Sequence, residues 1–190
     1  MELYVSRHGE TLSNAQRRLT GSINPPLSEK GIEQAKELGK SLEDISFDAV
    51  YSSPLTRAVE TVKTAFGDKY KIITDKRLVE INLGDMEGMT YEDVIIKYPE
   101  SGMLFFTDPV RYKTIPNGEH LEDMLIRISS FLDDITESGY DKVFVLTHGY
   151  AMRVMHACVN GGTVSAIGEA PQYSNCVLER YTYNGSNWEI

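Results

Sequence analysis

Short apolar runs typical of β-strands alternate along this chain with stretches whose apolar residues recur at helical spacing. This alternation predicts an α/β layered fold with a mostly parallel central sheet. The run 143–146 is apolar throughout, which indicates a strand buried on both faces in the middle of the sheet. The predicted strands are 3–6, 47–51, 70–74, 143–146 and 176–183, the last of them near an edge of the sheet.

Helical spacing and capping residues predict the connecting helices. Ser28 is a good N-cap for a helix that carries Ala35 and Leu38 on its apolar stripe. Ser53-Pro54 resembles an N-cap followed by the first helical residue, and that helix should end near Gly67. The spacing predicts further helices over 90–97, 119–138 and 150–159, and it leaves 98–118 as the least regular segment.

Composition narrows the class of protein. A chain of 190 residues can bury a core without disulfides, and Cys158 and Cys176 form no disulfide framework or zinc cluster, so we expect one domain over 1–190 in a reducing, cytoplasmic compartment. With 28 acidic and 19 basic residues the net charge is -9, which disfavours nucleic-acid partners. The sequence lacks a signal peptide and any apolar run near the roughly 18 residues that span a bilayer, so no membrane partner is expected.

Two segments share one local plan: Ser6-Arg7-His8-Gly9 and Thr147-His148-Gly149 each place a histidine and a glycine directly after an apolar strand. Ligands of open parallel sheets bind beyond the carboxyl ends of the strands. The plan therefore predicts that the two histidines face each other across one crevice, where glycine lets the backbone approach a ligand closely. The alternative, for either histidine alone, is a hydrogen-bonded structural residue.

Arginine and glutamate residues add charge to the predicted crevice. Arg57 follows the strand 47–51 at the start of a helix, where free N–H groups favour an anion, although a surface arginine is the alternative. Together with Arg7 it indicates a phosphoryl ligand, because one guanidinium group can donate two parallel hydrogen bonds to two phosphoryl oxygens. Glu80 lies between apolar neighbours after the third strand. Partial burial raises the pKa of a carboxyl group, so Glu80 is the candidate proton donor.

Five segments spread over most of the chain are more specific than these residues taken singly. They are Leu3-Tyr4-Val5-Ser6-Arg7-His8-Gly9-Glu10-Thr11 with Asn14, Leu27-Ser28-Glu29-Lys30-Gly31, Tyr51-Ser52-Ser53-Pro54-Leu55-Thr56-Arg57-Ala58, Leu78-Val79-Glu80-Ile81 through Gly84-Asp85-Met86-Glu87-Gly88, and Val145-Leu146-Thr147-His148-Gly149. In this order they resemble the signature segments of the histidine phosphatase superfamily, also called phosphoglycerate mutase-like. Two positions depart from the pattern: Val79 replaces a frequent arginine, with Arg77 two residues earlier, and Met86 replaces a frequent tryptophan.

The resemblance implies a three-layer α/β/α fold and a phosphatase that needs no metal and no cofactor. It implies that His8 is the phosphorylated nucleophile, that Glu80 moves the proton, and that His148 completes the catalytic set. The remaining residues that it assigns to binding the substrate phosphate are Arg7, Asn14, Thr20, Gly21, Arg57 and Gly149. The expected partner is a small phosphomonoester, and the oligomeric state stays open.

Three alternatives accompany this interpretation. A mutase of the same superfamily usually has a longer segment after the acid-bearing loop with paired arginines, whereas 98–118 offers only Arg111 and Lys113, which are not adjacent. An inactive binding protein on the same fold should have lost a catalytic residue, and a metal site at His8 and His148 lacks a third ligand and would be repelled by the arginines. Phe105, Phe106 and Tyr112 are interpreted first as core residues and otherwise as a lid over the substrate.

Overall fold

The computed structural model describes residues 1–190, and its six strands form one sheet. Four strands are parallel to one another, and at one edge of the sheet two pairings are antiparallel, first strand with fifth and fifth with sixth. The sheet is therefore mostly parallel, and the apolar strand β4 is central, both as predicted. The strands are β1 Glu2–Arg7, β2 Ala49–Ser52, β3 Ile72–Thr74, β4 Lys142–Thr147, β5 Leu178–Tyr183 and β6 Trp188–Glu189, in the order β3-β2-β4-β1-β5-β6.

Eight α-helices and two short 3₁₀ turns, at Lys76–Leu78 and Gly84–Met86, connect the strands. None of these helices has both the length and the apolarity that crossing a bilayer requires. Every helix predicted from the sequence is present within a few residues of its expected bounds. The helices are α1 Leu12–Ala15, α2 Glu29–Ser41, α3 Thr56–Phe66, α4 Tyr91–Lys97, α5 Ser101–Thr107, α6 Leu121–Thr136, α7 Gly149–Val159 and α8 Val164–Glu169.

Alternation along the central strands divides the core into two layers. On one face of the sheet, the side chains of β1 and β4 pack with α2 and α3. The alternate side chains of the same strands point to the other face and pack with α6, α7 and α8. Each fully buried aliphatic or aromatic side chain contributes about 1.5–3 kcal/mol to stability, so both layers hold the helices against the sheet. This confirms the three-layer α/β/α architecture. The first face carries Tyr4, Phe144 and Leu146, and the second carries Leu3, Val5, Val143 and Val145.

The start of α3 differs from the prediction, and so does the start of the third strand. Helix α3 begins at Thr56 with Leu55 at its N-cap and no side-chain cap, so the assignment of Ser53-Pro54 to the cap and first turn was wrong. The Ser53 hydroxyl instead accepts the Leu55 N–H at 3.3 Å within a turn that precedes the helix. Strand β3 begins at residue 72, because the Tyr70 ring turns away to pack on Phe66, with ring centroids 5.4 Å apart.

The segment 98–118 is less irregular than expected, because it contains the seven-residue helix α5. Seven residues give too few turns for an apolar period to stand out in the sequence. Phe105 of α5 is buried in the core that α6 and α7 share, and its ring stacks on that of Tyr150 with centroids 4.7 Å apart. The segment thereby forms a wall beside the N-terminus of α7.

Candidate active site

The register of two neighbouring strands brings the two strand-end histidines together. Strands β1 and β4 are parallel, with Arg7 opposite Thr147, so His8 and His148 leave adjacent strand ends. The His8 N–H extends the ladder by donating to the Thr147 carbonyl at 3.0 Å. Adjacent strands lie about 4.8 Å apart, and the two imidazole centroids are 5.1 Å apart at 62°. Both side chains are buried and their rings are neighbours, but only His8 lines the cavity, so the predicted crevice shared by both histidines is met for His8 alone.

Two contacts define the hydrogen positions on the His8 ring. Nδ1 lies 2.7 Å from the Gly9 carbonyl oxygen, and the Arg57 Nε–H donates to Nε2 at 3.1 Å. A neutral imidazole with its proton on Nδ1 satisfies both contacts, since Nδ1–H then donates and Nε2 accepts. Burial, reinforced by the positive charges of Arg57 and Arg7, holds the pKa of His8 well below its usual range. His8 is therefore uncharged at neutral pH, with the Nε2 lone pair available.

Arg57 is a fully buried residue and not the surface arginine that was the alternative. It lies in the first turn of α3, and its two terminal nitrogens donate to the carbonyls of Ile23 at 2.6 Å and Gly21 at 2.9 Å. Burial lowers the pKa of Arg57 to about 10, a shift that the negative charge of Glu80 opposes, so the guanidinium remains charged at neutral pH. Arg57 thus links the loop 20–23 to the histidine ring.

Arg7 reaches the same crevice from the end of β1. Its Nη1 donates to the Tyr173 carbonyl at 2.6 Å, and its buried Nε has no hydrogen-bond partner. A Cβ at Gly149 would lie 3.3 Å from the Arg7 guanidinium carbon, so a glycine leaves the guanidinium its space. Burial lowers the pKa of Arg7, and Glu80 again opposes the shift. An anion bound in the crevice would supply the partner that Nε lacks.

His148 stands directly before α7, below the floor of the cavity that the other residues line. Its Nε2 lies 2.7 Å from the Ser53 hydroxyl oxygen, and its buried Nδ1 has no partner. Burial holds the pKa of His148 well below its usual range, and the charge of Arg57 adds to that effect. Ser53, which sequence reasoning assigned to a helix cap, is instead the residue that orients this second imidazole.

Glu80 lies at the N-terminus of α7, opposite the two arginines. Its carboxylate accepts the backbone N–H groups of Ile81 at 3.0 Å and of Tyr150 and Ala151 at 3.1 Å each. The Thr147 hydroxyl donates to the Leu78 carbonyl at 2.7 Å, which ties the segment before Glu80 to the end of β4. The carboxylate therefore satisfies free N–H groups of the helix and lines the same cavity as His8.

The loop 20–23 closes one side of the cavity, and Glu87 anchors it. The Glu87 carboxylate accepts the backbone N–H of Ser22 at 2.7 Å and its hydroxyl at 2.8 Å. Gly21 has a φ of 51°, and a Cβ there would lie 2.1 Å from a Glu87 carboxylate oxygen, so only glycine fits. Thr20 and Gly21 line the cavity as predicted positions, whereas the anchoring role of Glu87 was missed.

Asn14 presents its amide to the cavity from the end of α1. Its side-chain oxygen accepts the Thr11 N–H at 3.1 Å and lies 3.4 Å from the Asn175 amide nitrogen. Asn175 also donates to the His8 carbonyl at 2.9 Å. These bonds leave the amide nitrogen of Asn14 as a donor toward the cavity, where the resemblance places a phosphate-binding residue.

The cavity has a volume of about 250 Å³ and is lined by eight of the nine predicted site residues, His148 being the exception. The rest of the cavity wall is largely aromatic, and the sequence analysis did not predict most of it. Phe105 and Phe106 reach the cavity, while Tyr112 packs on Phe105 outside it. The lining residues that sequence reasoning did not select include Arg18, Tyr91, Tyr150, Arg153 and Tyr173.

Arg77 does not replace the arginine that is frequent at position 79. It pairs with Asp75 at 2.7 Å and with Asp134 at 2.6 Å, and it does not line the cavity. Metal ligation by the two histidines is also poorly supported: nowhere do three or more His, Cys, Asp and Glu side chains gather as ligands would. The nearest charges to His8 are cationic arginines, which would repel a metal ion.

Fold and site together define an α/β enzyme whose cavity lies beyond the carboxyl ends of parallel strands and is lined by several arginines. Residues 3–190 match the family model described as the histidine phosphatase superfamily (branch 1), and the chain belongs to that superfamily. The phosphoglycerate mutase-like fold expected from the sequence is confirmed. The phosphatases among its relatives support a phosphatase activity for this chain.

Three comparisons show how near these relatives are. The chain is 32% identical to Phosphoserine phosphatase 1 of Hydrogenobacter thermophilus over 87% of this chain and 79% of that protein. It is 29% identical to Probable phosphoglycerate mutase GpmB of Erwinia tasmaniensis over 99% of this chain and 87% of that protein. Its structure resembles the alpha-ribazole phosphatase from Shigella flexneri with a TM-score of 0.88 at 26% identity, covering 100% of this chain and 94% of that one.

The Arg57→Lys variant is expected to lose about 30- to 1,000-fold in kcat/KM, corresponding to about 2–4 kcal/mol of barrier. Lysine keeps the charge but cannot contact His8 and both loop carbonyls at once. The measurement is hydrolysis of p-nitrophenyl phosphate, with the thermal unfolding midpoint as a check on folding. Arg180→Lys, an exposed position on β5, is the matched control, and a loss below about 3-fold at Arg57 would contradict the assigned role.

Proposed function

We propose that residues 1–190 act as one histidine phosphatase domain that hydrolyses small phosphomonoesters through a phosphohistidine on His8, without a metal. The observation that carries the proposal is the buried, neutral His8 ring, whose Nδ1 faces the Gly9 carbonyl and whose Nε2 faces Arg57. This is the tautomer in which Nε2 is a nucleophile. The two unpaired cysteines are in keeping with a cytoplasmic location, which is part of the proposal.

The first half-reaction forms the phosphoenzyme. Nε2 of His8 attacks phosphorus in line with the leaving oxygen, a P–N bond forms and the P–O bond breaks. The Arg57 Nε–H, which binds Nε2 before the reaction, transfers its hydrogen bond to a phosphoryl oxygen. In the loose transition state the charge is spread over three equatorial oxygens, and Arg7, Arg57 and Asn14, which line the cavity, offer donors to them. The resemblance gives His148 a place in the catalytic set, and in this structure it lies behind the lining residues, 2.7 Å from the Ser53 hydroxyl.

Glu80 moves the proton in both half-reactions. Glu80 enters the cycle protonated and gives its proton to the departing alkoxide. The resulting carboxylate then takes a proton from the water that attacks phosphorus, which restores the protonated form. The second step breaks the P–N bond and returns His8 to its neutral form. The position of Glu80 supports this role, because its carboxylate lies at the N-terminus of α7, beside Gly149 and in the same cavity as His8.

The cavity favours a small substrate. Its volume of about 250 Å³ is slightly below the usual range for ligand pockets, about 300–1,000 Å³, and its wall includes Tyr91, Phe105 and Phe106. Such a wall suits a compact metabolite of a few carbons. Binding of nucleic acid is not part of the proposal, since the net charge of the chain is -9.

A phosphoglycerate mutase activity is the second candidate, favoured by the mutase-named relative. Mutases of this superfamily usually carry paired arginines for the substrate carboxylate in a longer segment after the acid-bearing loop. The two basic residues available for that purpose in 98–118 do not line the cavity, and Arg111 instead lies 3.9 Å from Asp108 on the surface. Hydrolysis is therefore the activity that the geometry favours.

Hydrolysis in the presence of a strong chelator is the expected result of the deciding assay. The purified protein with EDTA is given p-nitrophenyl phosphate, phosphoserine, α-ribazole phosphate or 3-phosphoglycerate, the last with and without its bisphosphate. Free phosphate should be released from at least one ester. Formation of 2-phosphoglycerate without phosphate release would identify a mutase. Activity that EDTA abolishes and a divalent ion restores would contradict the metal-free mechanism, and no turnover of any ester would favour a binding protein.

A further inference from the structure

Arg153 is a buried charge in the wall of the cavity that no acidic residue neutralises. It lies on α7 with 4% of its surface exposed. Nη2 donates to the Ile167 carbonyl at 2.8 Å, the guanidinium lies 5.2 Å from the Tyr150 ring centroid, and the buried Nε has no partner. No carboxylate lies within 4.0 Å of it.

Arginines outside the cavity have carboxylate partners, whereas the buried arginines that line it do not. Arg77 and Arg127 are partly buried outside the cavity, and each pairs with a carboxylate at 2.6–2.7 Å. Arg57 and Arg153 are the two buried arginines, both line the cavity, and neither has an acidic partner. A buried charge costs several kcal/mol unless it is paired, so a bound anion is the partner that such a site lacks. For Arg57 the phosphoryl group is that anion.

The backbone of Arg153 lies one helical turn beyond the part of α7 that contacts Arg7. Gly149 abuts Arg7, and Arg153 follows four residues later, about 6 Å along the helix axis and on the same face. A substrate with its phosphate at His8 would therefore meet Arg153 with a group a few atoms from phosphorus. Glu80 occupies the intervening turn by accepting the N–H groups of Tyr150 and Ala151.

We propose that Arg153 determines specificity by binding a second anionic group of the substrate, the carboxylate of a short phosphorylated acid. The proposal rests on the function proposed above. One guanidinium balances the single negative charge of a carboxylate and matches its two oxygens, whereas a second phosphate carries about two charges. The cavity of about 250 Å³ also suits a short acid. The preferred substrate class is therefore a phosphorylated hydroxy or amino acid of about three carbons.

The test compares esters that differ only in the acid group. Phosphoserine is paired with phosphoethanolamine, and 3-phosphoglycerate with glycerol 3-phosphate. The wild type is expected to prefer the acid in each pair by at least about 10-fold in kcat/KM, and Arg153→Met should abolish that preference, so that both members of a pair react at similar rates. Arg153→Lys, which keeps the charge, should retain part of it. Arg180→Met on the exposed edge of the sheet is the matched control and should leave the preference unchanged.

The possible outcomes separate this inference from the proposed function. If the wild type hydrolyses esters but treats both members of each pair alike, or if Arg153→Met slows both equally, the specificity role is wrong. A greater loss on a bisphosphate of the same carbon length than on the acid would identify a second phosphate and overturn the carboxylate assignment. If the wild type hydrolyses none of the esters, p-nitrophenyl phosphate included, the proposed function itself has failed. Should Arg153→Met unfold at the assay temperature, the Arg153→Lys preference decides.

Discussion

Replacement of His8 by alanine is expected to lower kcat by at least about 10⁴-fold on every ester. Alanine removes the atom that bonds to phosphorus, and no other buried nucleophile lies at the same place, since His148 Nε2 is bonded to the Ser53 hydroxyl. The fold should persist, because the ring makes contacts with Gly9 and Arg57 but is not part of either hydrophobic core. Steady-state kinetics and the thermal unfolding midpoint measure the two effects.

The same variant tests the intermediate. The wild type, quenched during turnover, should carry one phosphoryl group in its intact mass, stable in base and labile in acid, and the peptide that contains His8 should bear it. The alanine variant should carry none. His120→Ala is the control, because His120 lies outside the cavity and bonds only the Thr114 hydroxyl. Substantial turnover or a phosphorylated protein in the alanine variant would refute His8 as the nucleophile.

Replacement of Glu80 by glutamine is expected to lower kcat on alkyl phosphates by about 10³-fold. Glutamine keeps the size of the side chain and one oxygen that can accept an α7 N–H, although the carboxylate uses a separate oxygen for each of the two N–H groups. The amide can neither give nor take the proton. An aryl ester such as p-nitrophenyl phosphate has a leaving group that needs no proton, so its first step should be nearly unaffected. Its second step still needs a base, so the phosphoenzyme should accumulate and produce a burst of nitrophenol.

A stopped-flow comparison of aryl and alkyl esters separates these two steps. The burst should equal about one nitrophenol per active site. Glu60→Gln, an exposed position on α3, is the matched control and should behave as the wild type. Equal losses on both kinds of ester with no burst would show that Glu80 positions α7 and moves no proton.

The strand-end histidines could be predicted because the geometry of parallel strands is local and repetitive. Once two apolar strands are adjacent and in register, the residues that follow them must be neighbours, and the sequence shows both strands. The same holds for Arg57, which follows the neighbouring strand β2 by five residues. In this way the arrangement of the phosphate pocket follows from three short segments of sequence.

Other parts of the site depend on contacts that no local pattern encodes. Tyr173 and Asn175 act on Arg7 and His8 from a loop between α8 and β5, and only the completed fold brings that loop near. Ser53 matched a cap because serine before proline often is one, yet its hydroxyl bonds His148 across 95 residues of sequence. Arg153 fits the helical pattern of α7, and its lack of a carboxylate is visible only when the neighbouring side chains are known.

The hydrogen bond from Arg57 to the His8 ring has a consequence for the idle enzyme. In the proposed mechanism the Arg57 Nε–H covers the Nε2 lone pair that attacks phosphorus, so this nitrogen is protected from other electrophiles until a substrate binds. An arriving phosphate offers Arg57 a stronger, charged acceptor and draws that donor away. In this way the substrate itself frees the nucleophile that attacks it.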